Sequence, residues 1–263
     1  MMKHLLILGC GWFAEELAKL YQSKGWQVWA TTTQQEKYHR LKGDGIFAYT
    51  HNFDDEAELD LPFEIRFDLV LNSIPATSKN SIEDLGFRFY QVFKLLSTIS
   101  YDRHFYLSSV GVYPDIDAIF DESYADEEQM ISRLRLAEKR MQSLPSTTVF
   151  RLGGLFGKQR IFAKYFQNKV VTTGDQPANF IHLDDVLGLI EAAIDQHISG
   201  GIYNVVCPEH PSKKEVIMRS AQKYLLEYPA GFDPKERFQK IINGSKLPAL
   251  LNYTYKYRSP LDF

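Results

Sequence analysis

The chain has 263 residues, of which 44% are hydrophobic, and a formal net charge of −3 at pH 7. This composition is enough for a full hydrophobic core, and the charge carries no general basic bias toward nucleic acid. The apolar run Leu5–Leu8 is too short to span a membrane and lacks the layout of a signal peptide, and two cysteines, Cys10 and Cys207, cannot form a disulfide framework. We therefore expect a cytoplasmic protein that binds neither nucleic acid nor a membrane.

Apolar, strand-like runs alternate along the chain with helical patterns. The predicted strands are Leu5–Leu8, Gln27–Thr31, Gly45–Tyr49, Leu69–Asn72, His104–Leu107 and Thr147–Leu152. The predicted helices between them are Trp12–Ser23, Gln35–Lys42, Ile82–Ser100 and Glu127–Gln142. This alternation predicts an α/β fold of the Rossmann type, a doubly wound parallel sheet with helices on both faces.

The regular alternation ends after Gly157, and shorter elements follow. They are predicted as a helix at Asp184–Gln196, a strand at Ile202–Val206, a helix at Lys213–Leu226 and a late strand at Asn252–Tyr257. We expect residues 1–157 to form a nucleotide-binding Rossmann domain. Residues 158–263 are expected to form a small α/β substrate-binding lobe, intertwined with that domain in one compact unit.

The first strand runs into a glycine turn, Gly9-Cys10-Gly11-Trp12-Phe13-Ala14, and then into a helix. Gly9 permits a tight turn, the missing side chain of Gly11 lets a pyrophosphate approach the backbone, and Ala14 lets the helix pack closely on the strand. The N–H groups that open the helix favour an anion. A purely structural turn is the alternative, but the strand before the motif and the helix after it favour dinucleotide binding at this turn.

Two further segments bear on the choice of cofactor. The second strand ends in Thr31-Thr32-Thr33 without an acidic residue, and Lys37 or Arg40 offers a positive charge for a 2′-phosphate. This pattern favours NADP over NAD, although a β-branched strand end followed by a helix cap also explains it. The residues Asn72-Ser73-Ile74 are expected under the adenine-side ribose, with a simple turn as the alternative.

A second motif, Ser108-Ser109-Val110-Gly111-Val112-Tyr113, follows the strand at His104. Together with the glycine turn it resembles the NAD-dependent epimerase/dehydratase family of the extended short-chain dehydrogenase/reductase superfamily. Four more segments resemble that family, namely Phe67–Asn72, Val149–Gly157, Phe180–Val186 and Ile202–Val205. Trp12 and the threonine run resemble its atypical, YeeZ-like branch in particular.

The resemblance implies roles for several side chains. Ser109 would orient a substrate hydroxyl or carbonyl near the nicotinamide, although a strand-end serine also bonds turn backbone. Ser108 would lie on the cofactor side, Tyr113 would shape the pocket, and His182 would border the nicotinamide end. With Asp184 and Asp185, His182 lacks the further ligands that a metal site needs, and Asp184 is better explained as a helix cap.

The family's catalytic Tyr-x-x-x-Lys pair is missing from this chain. If the family's glutamate matches Glu138, the lysine position holds Leu134 and the tyrosine position holds Met130. Three explanations stay open: another group, with Tyr124, Tyr113 or His182 nearest by position, supplies the proton; the reaction needs no such acid; or the protein binds the cofactor without catalysis.

Two hypotheses about function follow. The first is an NADP-dependent or NAD-dependent oxidoreductase, epimerase or dehydratase that acts on a small hydroxyl- or carbonyl-bearing metabolite such as a sugar nucleotide. The second is a cofactor-binding sensor or interaction protein. The helices Ile82–Ser100 and Glu127–Gln142 are the pair through which the resembling family often forms homodimers, so a homodimer is a further expectation.

Overall fold

A computed structural model gives the fold and describes residues 2–62, 64–77, 81–233, 235 and 237–263. Its strands are β1 His4–Leu8, β2 Gln27–Thr32, β3 Phe47–Thr50, β4 Arg66–Phe67, β5 Leu69–Asn72, β6 Ser100–Tyr101, β7 His104–Ser109, β8 Ala118–Phe120, β9 Thr147–Leu152, β10 Gly154–Phe156, β11 Val170–Val171, β12 Phe180–His182, β13 Ile202–Val205, β14 Gly231–Phe232 and β15 Lys240–Ile242. Its α-helices are α1 Trp12–Ser23, α2 Gln35–Gly43, α3 Ile82–Thr98, α4 Ser132–Gln142, α5 Leu183–Asp195, α6 Lys213–Tyr224 and α7 Lys246–Leu251. Short 3₁₀ segments lie at Val110–Val112, Phe162–Tyr165 and Pro260–Asp262.

Seven strands form the main sheet, in the order β13-β9-β7-β5-β1-β2-β3. β1 pairs in parallel with both β2 and β5, β2 with β3, and β5 with β7. The chain moves outward from β1 to β3 and then returns to the other side of β1 with β5, which makes the boundary between β1 and β5 a topological switch point. Ligands of open parallel sheets bind beyond the carboxyl ends of the strands at such a point. The predicted Rossmann-type α/β fold is confirmed.

The helices begin in two different ways. α3 and α6 each start with a capping box, formed by Ser81 with Asp84 and by Ser212 with Glu215. α1, by contrast, starts after Gly11, an N-cap residue with no side chain to bond the first N–H groups of the helix. Its apolar face buries Phe13, Ala14, Leu17, Ala18 and Tyr21. Packing therefore fixes α1 while its N-terminus keeps no side-chain cap, which is the arrangement of an anion-binding helix end.

The described chain divides into two compact units. The first unit comprises Met1–Ser108, Met130–Phe150 and Ile198–Ile202, and the second comprises Ser109–Gln129, Arg151–His197 and Tyr203–Phe263. The core of the first unit is built by apolar side chains of the sheet and of α3 and α4, among them Leu6, Leu8, Val70, Phe89 and Met141. The second unit holds α5 to α7 and three two-stranded sheets, β10-β12, β11-β14 and β15-β8.

Two predicted elements differ from the structure by more than two residues. α4 begins at Ser132 rather than at Glu127, because the Asp126 carboxylate accepts hydrogen bonds from the backbone and side chain of Gln129 and holds a local turn. Residues Asn252–Tyr257 form no strand, since the backbone N–H groups of Lys256 and Tyr257 donate to the Asp185 carboxylate and not to a neighbouring strand. Side-chain acceptors thus replace regular backbone pairing in both segments.

Candidate functional site

The glycine turn is held by a small set of hydrogen bonds within the first unit. Gly9 has a φ of +77°, a conformation that favours glycine. Its N–H donates to Oγ1 of Thr31 at 2.8 Å, and the N–H of Cys10 donates to the Thr31 carbonyl at 2.7 Å. The Ser73 hydroxyl donates to the Gly9 carbonyl. The turn is therefore tied to the ends of both neighbouring strands, β2 and β5.

The turn leaves part of its backbone open to a ligand. A Cβ atom on Gly11 would meet no atom closer than 3.9 Å, and Gly11 is exposed, so the backbone is open on this side. Trp12 is half-buried at the uncapped start of α1, whereas Phe13 and Ala14 are buried against the core. Gly11 and the first turn of α1 are thus the parts of the motif that a ligand can reach, and Phe13 and Ala14 support them by packing.

The threonine run divides into two supporting residues and one exposed residue. Thr31 is buried and its hydroxyl holds Gly9, while the buried Thr32 accepts a hydrogen bond from the N–H of Gln34 at 3.2 Å. Thr33 is exposed. Of the three predicted cofactor residues, Thr33 is the one whose side chain is accessible.

The segment Asn72-Ser73-Ile74 also supports the turn. Asn72 is fully buried; its Oδ1 accepts from the N–H of Ile74 at 3.1 Å, and its Nδ2 donates to Sδ of Met141 at 3.1 Å. Ile74 is buried directly beneath Gly9. The turn that the sequence suggested as an alternative is therefore present, and it carries Ser73 to the Gly9 carbonyl.

Two cations of α2 converge on the first turn of α1. Arg40 donates to Glu15 through Nε at 3.1 Å and through a terminal nitrogen at 2.8 Å. Lys37 donates from Nζ to the Cys10 carbonyl at 3.1 Å and lies 3.8 Å from the Glu15 carboxylate. Hydrogen bonds from Arg40 and Lys19 lower the pKa of Glu15 despite its partial burial. Lys37 thus lies directly against the glycine turn, while Arg40 is engaged with Glu15.

Cys10 does not have the features of a reactive thiol. Its side chain is buried, and burial raises the pKa of the thiol to about 12. The residue fills the turn as a small packed side chain, without the electropositive, accessible surroundings of a reactive cysteine.

The Ser108 side chain contacts the carboxylate of Glu138, a residue to which the sequence assigned no role in the site. Its hydroxyl donates to Glu138 of α4 at 2.6 Å, and Glu138 is fully buried. Arg135 lies 3.8 Å from the same carboxylate. A charged residue on the buried side of a helix indicates a polar partner in the interior. Glu138 is such a residue, because it lies on the side of α4 that also carries the buried Ala137 and Met141.

α4 is the helix on which the resembling family carries its Tyr-x-x-x-Lys pair. Met130 is buried and lies just before the helix, and Leu134 is half-buried. Neither side chain can donate or accept a proton. Met130 thus lies outside α4, which begins at Ser132, and Leu134 lies on it.

Ser109 opens the second unit at the end of β7. Its hydroxyl accepts a hydrogen bond from the N–H of Gly111 at 3.0 Å, which starts the 3₁₀ segment Val110–Val112. The side chain is half-buried, and its O–H remains able to donate. Both readings of this serine are therefore compatible with the geometry.

Tyr113 is fully buried in a polar network. Its hydroxyl lies 2.9 Å from the carbonyl of Asp121 and 2.9 Å from Oδ1 of Asn204, and it accepts from Arg151 at 2.8 Å. Arg151 is buried as well, with its guanidinium 4.9 Å from the tyrosine ring. Burial raises the pKa of Tyr113. The sequence signal for this network is Arg151 itself, a charged residue inside the buried strand β9.

Tyr124 has a more open environment. Its ring packs against Phe120 and Tyr113 at centroid distances of 4.9 and 6.0 Å, and its hydroxyl makes only a long 3.4 Å contact to Gln129 among the described residues. Burial and the nearby Asp126 carboxylate raise its pKa. The phenol is therefore protonated at neutral pH.

His182 is the N-cap of α5 and not a free acid. Its Nδ1 accepts from the N–H of Asp184 at 3.1 Å, so His182, rather than Asp184 as the sequence suggested, caps the helix. Its ring lies 3.8 Å from the ring of Tyr257 and 4.9 Å from that of Phe263. Burial lowers the pKa of His182 to about 4, so the imidazole is neutral at pH 7. Across the ranges that the structure describes, no group of three His, Cys, Asp or Glu side chains is arranged to hold a metal, and no helix has the length and apolar content needed to cross a membrane.

The chain was compared with known proteins. No family model matches it. The curated protein YeeZ of Escherichia coli K12 is 29% identical over 271 residues, covering 99% of this chain and 98% of YeeZ. The solved structure of human epimerase family protein SDR39U1 with NADPH matches with a TM-score of 0.72 and 18% identity, covering 98% of this chain and 96% of that one.

A third match is the UDP-glucuronic acid 4-epimerase of Bacillus cereus in complex with UDP-glucuronic acid and NAD. It has a TM-score of 0.76 and 14% identity, and the match covers 98% of this chain and 96% of that one. At these identities the two solved structures establish the shared fold, while the YeeZ match extends over nearly the whole sequence. The similarity to YeeZ over nearly the whole chain, together with the shared fold, supports the resemblance to the atypical, YeeZ-like branch of the short-chain dehydrogenase/reductase superfamily.

Proposed function

We propose that the chain binds a nicotinamide dinucleotide at the turn Gly9–Ala14 and uses it as an epimerase, dehydratase or reductase. The observation that carries this proposal is the uncapped N-terminus of α1 behind a glycine turn with φ of +77° at Gly9, located at the switch point of a parallel sheet. The bound nicotinamide would supply reversible two-electron oxidation of an alcohol to a carbonyl. The protein would supply the phosphate site and the orientation of both partners.

NADP is the proposed cofactor, with NAD as the alternative. The end of β2 offers Thr33 and no carboxylate to accept bonds from a ribose 2′-hydroxyl. Lys37 has a side chain that is 15% exposed; its ammonium donates to the Cys10 carbonyl and lies 3.8 Å from the Glu15 carboxylate. An ammonium has three donors, so this one can also bind a 2′-phosphate. SDR39U1, whose structure contains NADPH, supports the same choice.

The proposed substrate is a small metabolite with a hydroxyl or carbonyl group, of which a sugar nucleotide is the leading class. The Bacillus cereus neighbour contains UDP-glucuronic acid, and that supports this class for a chain of the same fold. Ser109 is proposed to orient the reacting oxygen through the O–H that its bond with Gly111 leaves available. The Ser109 oxygen accepts the bond from Gly111, while its hydrogen is available to donate to the substrate.

Tyr124 is the proposed proton donor among the three candidates. Tyr113 has its hydroxyl engaged by Arg151, Asn204 and a backbone carbonyl, and His182 is buried and neutral. Tyr124 combines a protonated phenol with a hydroxyl that has only one long contact. Geometry and charge state therefore favour Tyr124 over the other two.

One observation favours a protein that binds the cofactor without catalysis. Met130 and Leu134 hold the two positions at which the resembling family places its acid and the lysine that tunes it. A sensor or interaction protein has no use for that pair. This second function predicts tight nucleotide binding and no turnover.

A homodimer through α3 and α4 is also proposed. Tyr90 on α3 is 49% exposed, and the guanidinium of Arg140 on α4 lies 5.8 Å from its ring and 5.7 Å from that of Phe93. Arginine stacked on aromatic rings is frequent at protein interfaces. Light scattering after size exclusion, on the wild type and on Tyr90→Glu, tests this assembly.

Turnover is tested with a panel of UDP-, dTDP- and ADP-sugars and simple carbonyl compounds, each supplied with NADPH, NADP, NADH or NAD. Products are detected by mass spectrometry and by absorbance of the reduced cofactor, since an epimerase leaves the cofactor unchanged overall. The enzyme proposal predicts product from at least one substrate, abolished by Ser109→Ala. Bound NADPH with no product from the whole panel would favour the non-catalytic function.

A further inference from the structure

Glu138 of α4 is a fully buried carboxylate. A charged side chain with no exposed surface is costly to place in a protein interior unless hydrogen bonds compensate. Glu138 receives a 2.6 Å hydrogen bond from the Ser108 hydroxyl and lies 3.8 Å from Arg135, and all three residues belong to the first unit. A carboxylate therefore fixes the direction of one particular hydroxyl, at the end of β7.

The place of that hydroxyl in the sheet identifies the part of a ligand that it faces. Adenosine binds to the half of a dinucleotide fold that contains β1, β2 and β3, and the second nucleotide binds to the half on the other side of the switch point. β5 and β7 lie on that other side. Ser108, in the last two residues of β7, is thus on the half that takes the second nucleotide.

We propose that Glu138 is a positioning residue that turns Ser108 into a hydrogen-bond acceptor for a hydroxyl of the second ribose of the dinucleotide. The inference rests on the proposed binding of a dinucleotide. Because the Ser108 O–H donates to Glu138, its lone pairs are left for a donor from elsewhere. A ribose hydroxyl is such a donor.

The charge on Glu138 strengthens the arrangement. A hydrogen bond to a carboxylate is shorter and stronger than one between neutral groups, and it increases the electron density on the serine oxygen that accepts the next bond. Glu138 is itself fixed in place, because it is fully buried on α4 on the side that carries Ala137 and Met141. The serine oxygen is therefore oriented by its bond to this carboxylate.

The test compares two ligands that differ by the second ribose, ADP and ADP-ribose, by isothermal titration calorimetry on the full chain. Ser108→Ala is expected to weaken ADP-ribose binding about three- to tenfold, the effect of one lost hydrogen bond, and to change ADP binding by less than about twofold. Glu138→Gln is expected to act in the same direction. Glu83→Gln, at an exposed position in the first turn of α3, is the matched control and should change neither affinity.

The double variant S108A/E138Q makes the test specific. If Glu138 acts through Ser108, the double variant should bind ADP-ribose within about twofold of S108A alone, because S108A has already removed the hydroxyl that Glu138 orients. Additive losses in the double variant, or equal losses of ADP and ADP-ribose in the single variants, would overturn the inference. If the Glu138 carboxylate had only a structural role, Glu138→Gln would lower the melting temperature without changing the ratio of the ADP and ADP-ribose affinities.

Binding of NADPH and ADP-ribose by the wild type and by S108A tests the role of Ser108 separately from the dinucleotide site. Wild-type protein that binds NADPH and ADP-ribose, with S108A unchanged in both, contradicts the role of Ser108 and leaves the dinucleotide site standing. Wild-type protein that binds neither ligand contradicts the site and the inference together. If Glu138→Gln fails to fold, S108A still tests the contact with the ribose, and unchanged binding of ADP-ribose by folded S108A overturns the inference.

Discussion

Gly9 and Ile74 lie in direct contact where β1 and β5 end, and a methyl group on Gly9 would lie 3.1 Å from Cγ1 of Ile74. With φ of +77°, Gly9 also has a backbone conformation that other residues adopt at a cost. The glycine turn therefore depends on the absence of a side chain for two independent reasons.

Gly9→Ala should lower the free energy of unfolding by more than the roughly 1–2 kcal/mol of the left-handed conformation alone, because Ile74 must move as well. It should also weaken NADPH binding about tenfold or more by displacing the turn. Gly25→Ala is the matched control: Gly25 has φ of +82° and no atom within 4 Å of an added Cβ. Urea denaturation and NADPH titration of both variants check this. Equal effects of the two variants on NADPH binding would contradict the role of the turn.

Lys37→Gln should weaken NADPH about tenfold and NADH by less than about threefold, because a positive charge beside a 2′-phosphate is lost. The comparison is Lys42→Gln, a lysine on the same helix that contacts Tyr38 and not the glycine turn. Fluorescence titration of both cofactors measures the ratio. If K37Q weakens NADH as much as NADPH, Lys37 contacts some other part of the cofactor.

Stability should fall as the pH is lowered from about 6.5 toward 5. Burial lowers the pKa of His104 to about 3 and that of His182 to about 4, below the ordinary value of 6.5. In this window the unfolded chain binds protons that the folded chain does not, so each histidine lowers the unfolding free energy by up to about 1.4 kcal/mol per pH unit. Above 6.5 their contribution is constant.

His104→Asn should flatten that dependence, since the amide can keep the 2.9 Å contact that Nδ1 makes with Thr147 and does not titrate. Urea unfolding at pH 7.5, 6.5 and 5.5 gives the slope, with His39→Asn at an exposed position as the control. An unchanged slope in H104N would show that His104 is not buried in its neutral form.

Tyr124→Phe should lower turnover of the substrate found in the panel by about 10²–10⁴-fold, the usual effect of losing a positioned acid, while NADPH affinity stays unchanged. Tyr113→Phe should instead lower the melting temperature, because Arg151 and Asn204 lose their shared partner. Rates measured on both variants separate catalysis from structure. A Y124F enzyme with full activity would remove Tyr124 from the mechanism.

The fold could be predicted from the sequence because its signals are local. The alternation of strand and helix patterns located β1, α1, β2, β5 and β9 to within one residue, since each carries an apolar pattern ended by glycine or polar residues. β3 was displaced by two residues because Gly45, with φ of +82°, ends the turn after α2 rather than starting a strand. Boundaries set by single backbone conformations are not visible in hydrophobic patterns.

The polar networks of the candidate site could not be predicted, because they join residues far apart in sequence. Nothing local to Ser108 indicates that its hydroxyl meets Glu138, thirty positions away, or that Asp185 collects the N–H groups of Lys256 and Tyr257. The same pairing explains the missing strand at Asn252–Tyr257. Sequence patterns identified the residues around the glycine turn. Their tertiary contacts show that Thr31 bonds Gly9 directly and that Asn72 holds the neighbouring Ile74, so both residues support the turn.

The central claim is that the turn Gly9–Ala14 binds a nicotinamide dinucleotide, and titration with NADPH and NADH under tryptophan fluorescence tests it most directly. Trp12 opens α1 beside the proposed phosphate site, whereas Trp26 packs against Tyr21 at 4.8 Å. We predict saturable quenching below about 1 mM nucleotide, lost in Trp12→Phe and kept in Trp26→Phe. No quenching and no calorimetric heat with either nucleotide would contradict the claim.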